Sequence, residues 1–308
     1  MRHILDVGDL SASELMAVLD LASRPNPPPV LAGKGVALVF QKPSLRTRVS
    51  MEMAVVQLAG HPIAMHEFEI GLDVREPAAD VGRVLSQYCA IIGARVFAHA
   101  TLERTAAAAT VPVINLLSDK AHPCQILADL LVLRSQWGSL SGRTVAWVGD
   151  GNNVCESLLV GASLVGLRVR AACPPGFEPS AASLARGDSQ LVSDPAEAVE
   201  GADAVYTDTW TSMGQEAEAA ERRLAFAQFT VDDALMARAR PGAVFMHCLP
   251  AHRGEEVTQS VIDGPASIVW QQAACRMHAQ RGLLWWLSEG HEIGRSSSAR
   301  SIGKQSQQ

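Results

Sequence analysis

Apolar residues recur along this chain in two alternating rhythms, one of strand length and one of helical period. Residues 10–23 carry the helical spacing, with Ser11 or Ser13 placed to cap the helix. Gly35 to Phe40 is an unbroken apolar run of strand length, and a turn through Lys42, Pro43 and Ser44 follows it. Arg46 to Ala59 is amphipathic and is expected to stop at Gly60. Strand-like runs return at 62–66, 91–97 and 111–116, and 124–137 is a strongly apolar helix. Ser139 to Gly142 then interrupts the pattern. A second set opens at Arg143, with strand 144–149, helix 153–165 and strands 167–173, 202–207 and 243–247. A last long helix covers about 267–288, and 290–308 is polar, Ser-rich and expected to be disordered. This alternation predicts an α/β fold. Two doubly wound domains are expected, each a mainly parallel sheet flanked by helices, joined by long inter-domain helices with 124–137 as the connector.

Composition narrows the class. A chain of 308 residues, 48 % hydrophobic, suits two ordinary domains. The net charge of -6 argues against a general polyanion-binding surface, so an anionic ligand needs a local cationic pocket. The six cysteines, Cys89, Cys124, Cys155, Cys173, Cys248 and Cys275, form no Cys-x-x-Cys pair, which favours free thiols in a reducing cytoplasm. Neither a signal peptide nor a membrane-spanning run is evident.

Five motifs carry chemistry. Ser44-Leu45-Arg46-Thr47-Arg48 sits where a strand becomes a helix, and free amides, two hydroxyls and two guanidiniums concentrate there. It reads equally as a phosphate cradle or as a capped helix with surface arginines. His122-Pro123-Cys124-Gln125 offers two hydrogen-bonding side chains one turn apart, although a lone histidine is more often structural. His247-Cys248-Leu249-Pro250, running on to Glu256, follows an apolar strand, where parallel sheets bind ligands. A reactive or metal-binding Cys–His pair is conceivable there, but neighbours on a strand point to opposite faces. Asp208 to Gly214 also follows a strand; Asp208 suits an amine, and an ordinary polar turn is the plain alternative. Gly149-Asp150-Gly151-Asn152-Asn153-Val154 invites a dinucleotide reading that Val154, standing in the place of the third glycine, weakens. The stretch 211–227 is long and polar and reads as a mobile loop, with Gly214 as a hinge for a lid.

In this order the motifs resemble the aspartate/ornithine carbamoyltransferase family, from about residue 2 to 289. The resemblance implies transfer of a carbamoyl group from carbamoyl phosphate to the δ-amine of L-ornithine, giving L-citrulline and phosphate in arginine metabolism. It implies that Ser44, Leu45, Arg46, Thr47, Arg95, His122, Gln125, Cys248, Leu249 and Arg276 hold carbamoyl phosphate. Asn153, Asp208, Ser212 and Met213 would hold ornithine, and Arg95, His122 and Cys248 would stand at the reacting atoms. Residues 1–138 would form the carbamoyl-phosphate domain, with the helix at about 267–289 packing back on it, and 139–266 the ornithine domain. No metal and no organic cofactor is implied. A cytoplasmic homotrimer is, with no nucleic-acid or membrane partner, and residues 67–76 would reach toward a neighbour's site. Pro77, Glu156 and Ala274-Cys275 depart from the commonest pattern, and Glu156 adds negative charge near the expected amine site. Two rival readings are a transcarbamoylase for another amine and a catalytically silent paralogue acting as a binding subunit.

Overall fold

The apolar runs pair as two separate parallel sheets in the computed structural model, which describes residues 1–211 and 216–289. The first sheet joins β1 (Gly35–Phe40), β2 (His61–His66), β3 (Cys89–Arg95) and β4 (Val113–Leu117) in the order β2-β1-β3-β4. The second joins β5 (Thr144–Val148), β6 (Arg168–Ala172), β7 (Asp188–Val192), β8 (Ala204–Thr207) and β9 (Val244–His247) in the order β7-β6-β5-β8-β9. Every pairing is parallel, and helices fill the connections, so the expected α/β class with two doubly wound sheets holds. The expectation of a disordered tail at 290–308 lies outside the described residues.

Local details follow from side-chain chemistry. Ser11, not Ser13, caps the first helix (Ala12–Ala22) in a reciprocal box with Glu14. The helix Leu45–Gln57 ends before Gly60, and Ala59 takes the left-handed conformation, at φ 63°. Gly60 is needed for another reason: a Cβ there would lie 2.9 Å from Leu31 and Val55. Strand β7 escaped the pattern search because it is an exposed edge strand reading Asp-Ser-Gln-Leu-Val, with little apolar surface to bury. The expectation of a mobile polar loop is corrected over 219–226. Ala219–Phe226 is helical and buries both Arg222 and Phe226.

The two sheets share one apolar core through two long helices. The connector Pro123–Trp137 is buried from Pro123 to Leu133. The C-terminal helix Val269–Ser288 packs on the connector and on the helices Ala12–Ala22 and Leu45–Gln57. Close approach depends on Gly282, where a Cβ would stand 2.6 Å from the Val18 carbonyl oxygen and 2.7 Å from the Ala22 nitrogen. Gly282→Ala would gain about 0.8–1.0 kcal/mol of helix propensity. It would lose about 1–3 kcal/mol to overpacking against backbone that has no rotamer to move. The expected outcome of a thermal melt is therefore a lower Tm, despite the better helix former.

Candidate active site

Both sheets reverse their strand order once, and the two reversals open on the same cleft. In the first sheet the switch lies between β1 and β3; in the second, between β5 and β8. Crevices at such points, beyond the carboxyl ends of the strands, are where open α/β sheets bind ligands. Segments following β1, β3, β5, β8 and β9 line a single cleft of about 1020 Å³. All the described residues expected at the site line it, from Ser44, Leu45, Arg46 and Thr47 through to Arg276. Ser212 and Met213, together with Gly214 as the hinge, lie outside the described residues.

One wall is cationic. Ser44 caps the helix Leu45–Gln57, its hydroxyl accepting from the Thr47 amide at 3.3 Å. The first-turn amides of Leu45 and Arg46 have no acceptor within the helix. Arg95, at the end of β3, donates through Nη1 to Thr47 Oγ1 at 3.4 Å, and Arg276, from the C-terminal helix, donates through Nη2 to the same oxygen at 3.2 Å. Arg276 Nη1 also donates to Gln125 Oε1. The Nε groups of Arg95 and Arg276 are buried with no acceptor among the described residues. Among the described residues, no carboxylate forms an ion pair with Arg46, Arg95 or Arg276. Burial, and then the neighbouring Arg276 and Arg46, pull the Arg95 pKa down to about 10. Burial first, and then these same arginines, hold His122 well below its ordinary value, so its ring is neutral. Its Nδ1 is buried and has no partner among the described residues. Buried donors in this state call for an anion. Arg48, expected to join the cradle, turns away to Glu52 and His66, each at 2.8 Å.

The facing wall is acidic. Asp208, after β8, accepts from Asn152 Nδ2 at 2.9 Å on one oxygen and from the Cys248 thiol at 2.8 Å on the other. Burial and Asp208 push the Cys248 pKa well above its ordinary value, so the sulfur is a protonated donor at neutral pH. Asn152 also caps the helix Asn153–Val165, while Asn153 donates to the Ser118 carbonyl at 2.6 Å across the two domains. The Cys–His pair divides its duties. His247 Nδ1 accepts from the Leu249 amide at 2.8 Å and Nε2 contacts Glu256 at 3.1 Å, in full burial. Asp208, His247 and Cys248 bring ligand atoms within 4.8 Å of one another, but each is already engaged in these bonds. Glu156 faces away from the cleft and accepts from the Ser180 amide and hydroxyl.

One buried ion pair lining the cleft was not legible in the sequence. Asp150, after β5, is buried against the Arg222 guanidinium, which lies over the Phe177 and Phe226 rings at 4.6 and 5.3 Å. Burial lifts Asp150 to about 6, although Arg222 pulls the other way. The glycines flanking Asp150 drew attention to the turn; nothing marked Arg222 among the charges of 216–223.

Comparison with known proteins agrees with this geometry. Residues 2–135 match the profile described as "Aspartate/ornithine carbamoyltransferase, carbamoyl-P binding domain", and residues 141–287 match its "Asp/Orn binding domain". The chain belongs to the aspartate/ornithine carbamoyltransferase family. It is 48 % identical over 301 residues to an ornithine carbamoyltransferase from Acidothermus cellulolyticus, covering 93 % of this chain and 96 % of that one. Identity to the ornithine carbamoyltransferase of Thermus thermophilus is 49 % over 287 residues, covering 92 % and 95 %. The solved ornithine carbamoyltransferase of Pyrococcus furiosus superimposes with a TM-score of 0.90 at 45 % identity, over 94 % of this chain and 97 % of that one. Among the described residues no helix is long and apolar enough to cross a membrane.

The neutral His122 has a measurable consequence. Its folded pKa is depressed, so below its ordinary value of 6.5 the unfolded chain binds a proton that the folded chain refuses. The stability this confers is complete above 6.5 and is lost as pH falls below it. Chemical denaturation from pH 7.5 to 5 should therefore cost the wild type more stability than His122→Gln. Parallel curves would contradict this assignment.

Proposed function

We propose that the protein transfers the carbamoyl group of carbamoyl phosphate to the δ-amine of L-ornithine, giving L-citrulline and phosphate. The observation that carries this reading is the convergence of Arg95 and Arg276 on Thr47, beside Arg46 at a helix N-terminus, with buried donors unpartnered among the described residues, across one cleft from Asp208. A phosphate dianion answers the cationic wall, and an aminium answers the acidic one.

Amine attack on the carbamoyl carbon builds negative charge on the carbonyl oxygen. Thr47, Arg95 and His122 supply fixed donors for it, in the manner of an oxyanion hole. Gln125 Oε1 is an acceptor for the carbamoyl N–H. Phosphate departs already bound by Ser44, Arg46 and the amides of Leu45 and its neighbours, so its added charge is compensated. Asn153 and Asp208 orient the amino acid, with Ser212 and Met213 assigned beside them by family resemblance. Cys248 and Leu249 stand between the two substrates. Cys248 is a protonated thiol, so it acts as a donor that holds Asp208 and not as a nucleophile. The amine's proton then has Asp208 or the phosphate oxygens as acceptors. Juxtaposing both substrates supplies much of the acceleration. These roles ask nothing of a metal or an organic cofactor.

A cytoplasmic homotrimer is part of the same proposal. Supporting it, Val49, Met53 and Val56 form an exposed apolar stripe at helical spacing on the helix Leu45–Gln57, and Phe68, Val74 and Tyr88 are exposed nearby in the chain. The segment 67–76 then reaches toward a neighbour's cleft.

Purified protein should form citrulline from carbamoyl phosphate and ornithine, and not carbamoylate aspartate, putrescine or lysine at comparable rates. Failure with ornithine alone among these amines would transfer the assignment to another acceptor. Arg46→Ala should weaken carbamoyl phosphate binding by roughly 10- to 100-fold, the cost of a charge-assisted contact, with little change in Tm. Light scattering of the active protein should give a trimer mass, and Met53→Glu should lower it.

A further inference from the structure

One buried carboxylate beneath the cleft touches no expected ligand, yet it fixes the residues that do. Asp129 lies one helical turn beyond Gln125 on the connector and is fully buried. Its Oδ1 accepts from Gln125 Nε2 at 2.8 Å and from Gln272 Nε2 at 2.7 Å, and its Oδ2 accepts from the Tyr206 hydroxyl at 2.9 Å. These partners come from the connector, the C-terminal helix and β8.

Donor chemistry then dictates how both glutamines stand. An ionised carboxylate can only accept, so each glutamine must offer it the NH2 end. The carbonyl end is thereby turned outward. For Gln125 that oxygen accepts from Arg276; for Gln272 it accepts from the His247 amide at 3.0 Å, one residue before Cys248. Reversing the Gln125 amide would set a carbonyl against a carboxylate and an NH2 against a guanidinium, an error at both ends. Burial lifts the Asp129 pKa to about 6, while its three hydrogen bonds and Arg276 hold it down.

We propose that Asp129 is the positioning residue that sets the polarity of the acyl pocket. By engaging the NH2 of Gln125 it presents a carbonyl oxygen to the transferred group. The site therefore accepts an acyl phosphate bearing N–H and discriminates against one bearing a methyl, the difference between carbamoyl and acetyl phosphate. Through Gln272 the same carboxylate fixes the end of β9. The inference rests on the proposed binding of carbamoyl phosphate.

The test is calorimetric titration of the full chain with carbamoyl phosphate, acetyl phosphate and inorganic phosphate, with no amine present. Asp129→Leu should lower the carbamoyl-to-acetyl affinity ratio by about tenfold or more, as a freed amide loses its orientation, and change inorganic phosphate binding far less. Asp129→Asn should keep the ratio within about threefold, since its Oδ1 still accepts from both glutamines and its Nδ2 can donate to the Tyr206 oxygen. Gln272→Leu should keep the ratio but lower kcat. Should the leucine variant not fold, Asp129→Ser, too short to reach both glutamines, carries the same expectation. A folded Asp129→Leu or Asp129→Ser with the wild-type ratio, in which all three ligands weaken together or not at all, overturns the proposal. So does an Asp129→Asn that falls as far as the leucine variant. A wild type that binds no carbamoyl phosphate overturns the proposed function instead.

Discussion

Concentrating like charge in a poorly hydrated place is the constraint that organises this molecule. Arg95 and Arg276 are buried, converge on one hydroxyl and lack carboxylate partners among the described residues. Each loses hydration, and each repels the other. A chain left to maximise stability would place an acid between them. The fold instead holds them with apolar mass: the connector, buried along eleven consecutive residues from Pro123 to Leu133, and the Trp-rich helix that carries Arg276. The cationic wall and the core are thus opposed in energy and joined in structure, the kind of trade a functional site commonly makes against stability.

The opposite wall solves a complementary problem. Two acids, Asp150 and Asp208, stand close enough for Asp208 to raise the Asp150 pKa. Asp150 receives a guanidinium of its own, stacked against aromatic rings, so its charge is settled within the protein. Among the described residues, Asp208 receives neutral donors, an amide and a thiol. Among the described residues, no cation forms an ion pair with it. The two carboxylates thus differ in whether the partner carries a formal charge.

Much of this was legible in the residue pattern, because buried parallel strands are continuous apolar runs and the strand-to-helix turns carry punctuation. Strands β1, β5 and β9 and the capped, cationic turn around Ser44 announced themselves in that way. What stayed hidden has a common cause. Arg222, Asp129 and the edge strand β7 are polar residues or segments whose status is decided by partners distant in the chain. Asp129 looks like any charge on a helix until Gln272, 143 residues away, and Tyr206, 77 residues away, are brought to it. Asn152 and Asn153 were both visible in the sequence. Only the geometry separates the one that binds Asp208 from the one that bridges to Ser118. Arg48 erred the other way: it sits inside the motif, but Glu52 and His66 draw it off.

The C-terminal helix also governs when the site comes into being. It supplies Arg276 and covers the helices Ala12–Ala22, Leu45–Gln57 and Pro123–Trp137. A ribosome adding about 5–20 residues per second completes those three helices many seconds before their cover emerges. Throughout that interval the residues that pack on Leu283, Leu284 and Trp286 in the finished fold are without that cover. It also lacks Arg276, one of the cleft's converging cations. The same late segment therefore supplies both the apolar cover and the last cation of the wall, so a chain stalled or truncated before it lacks the two together.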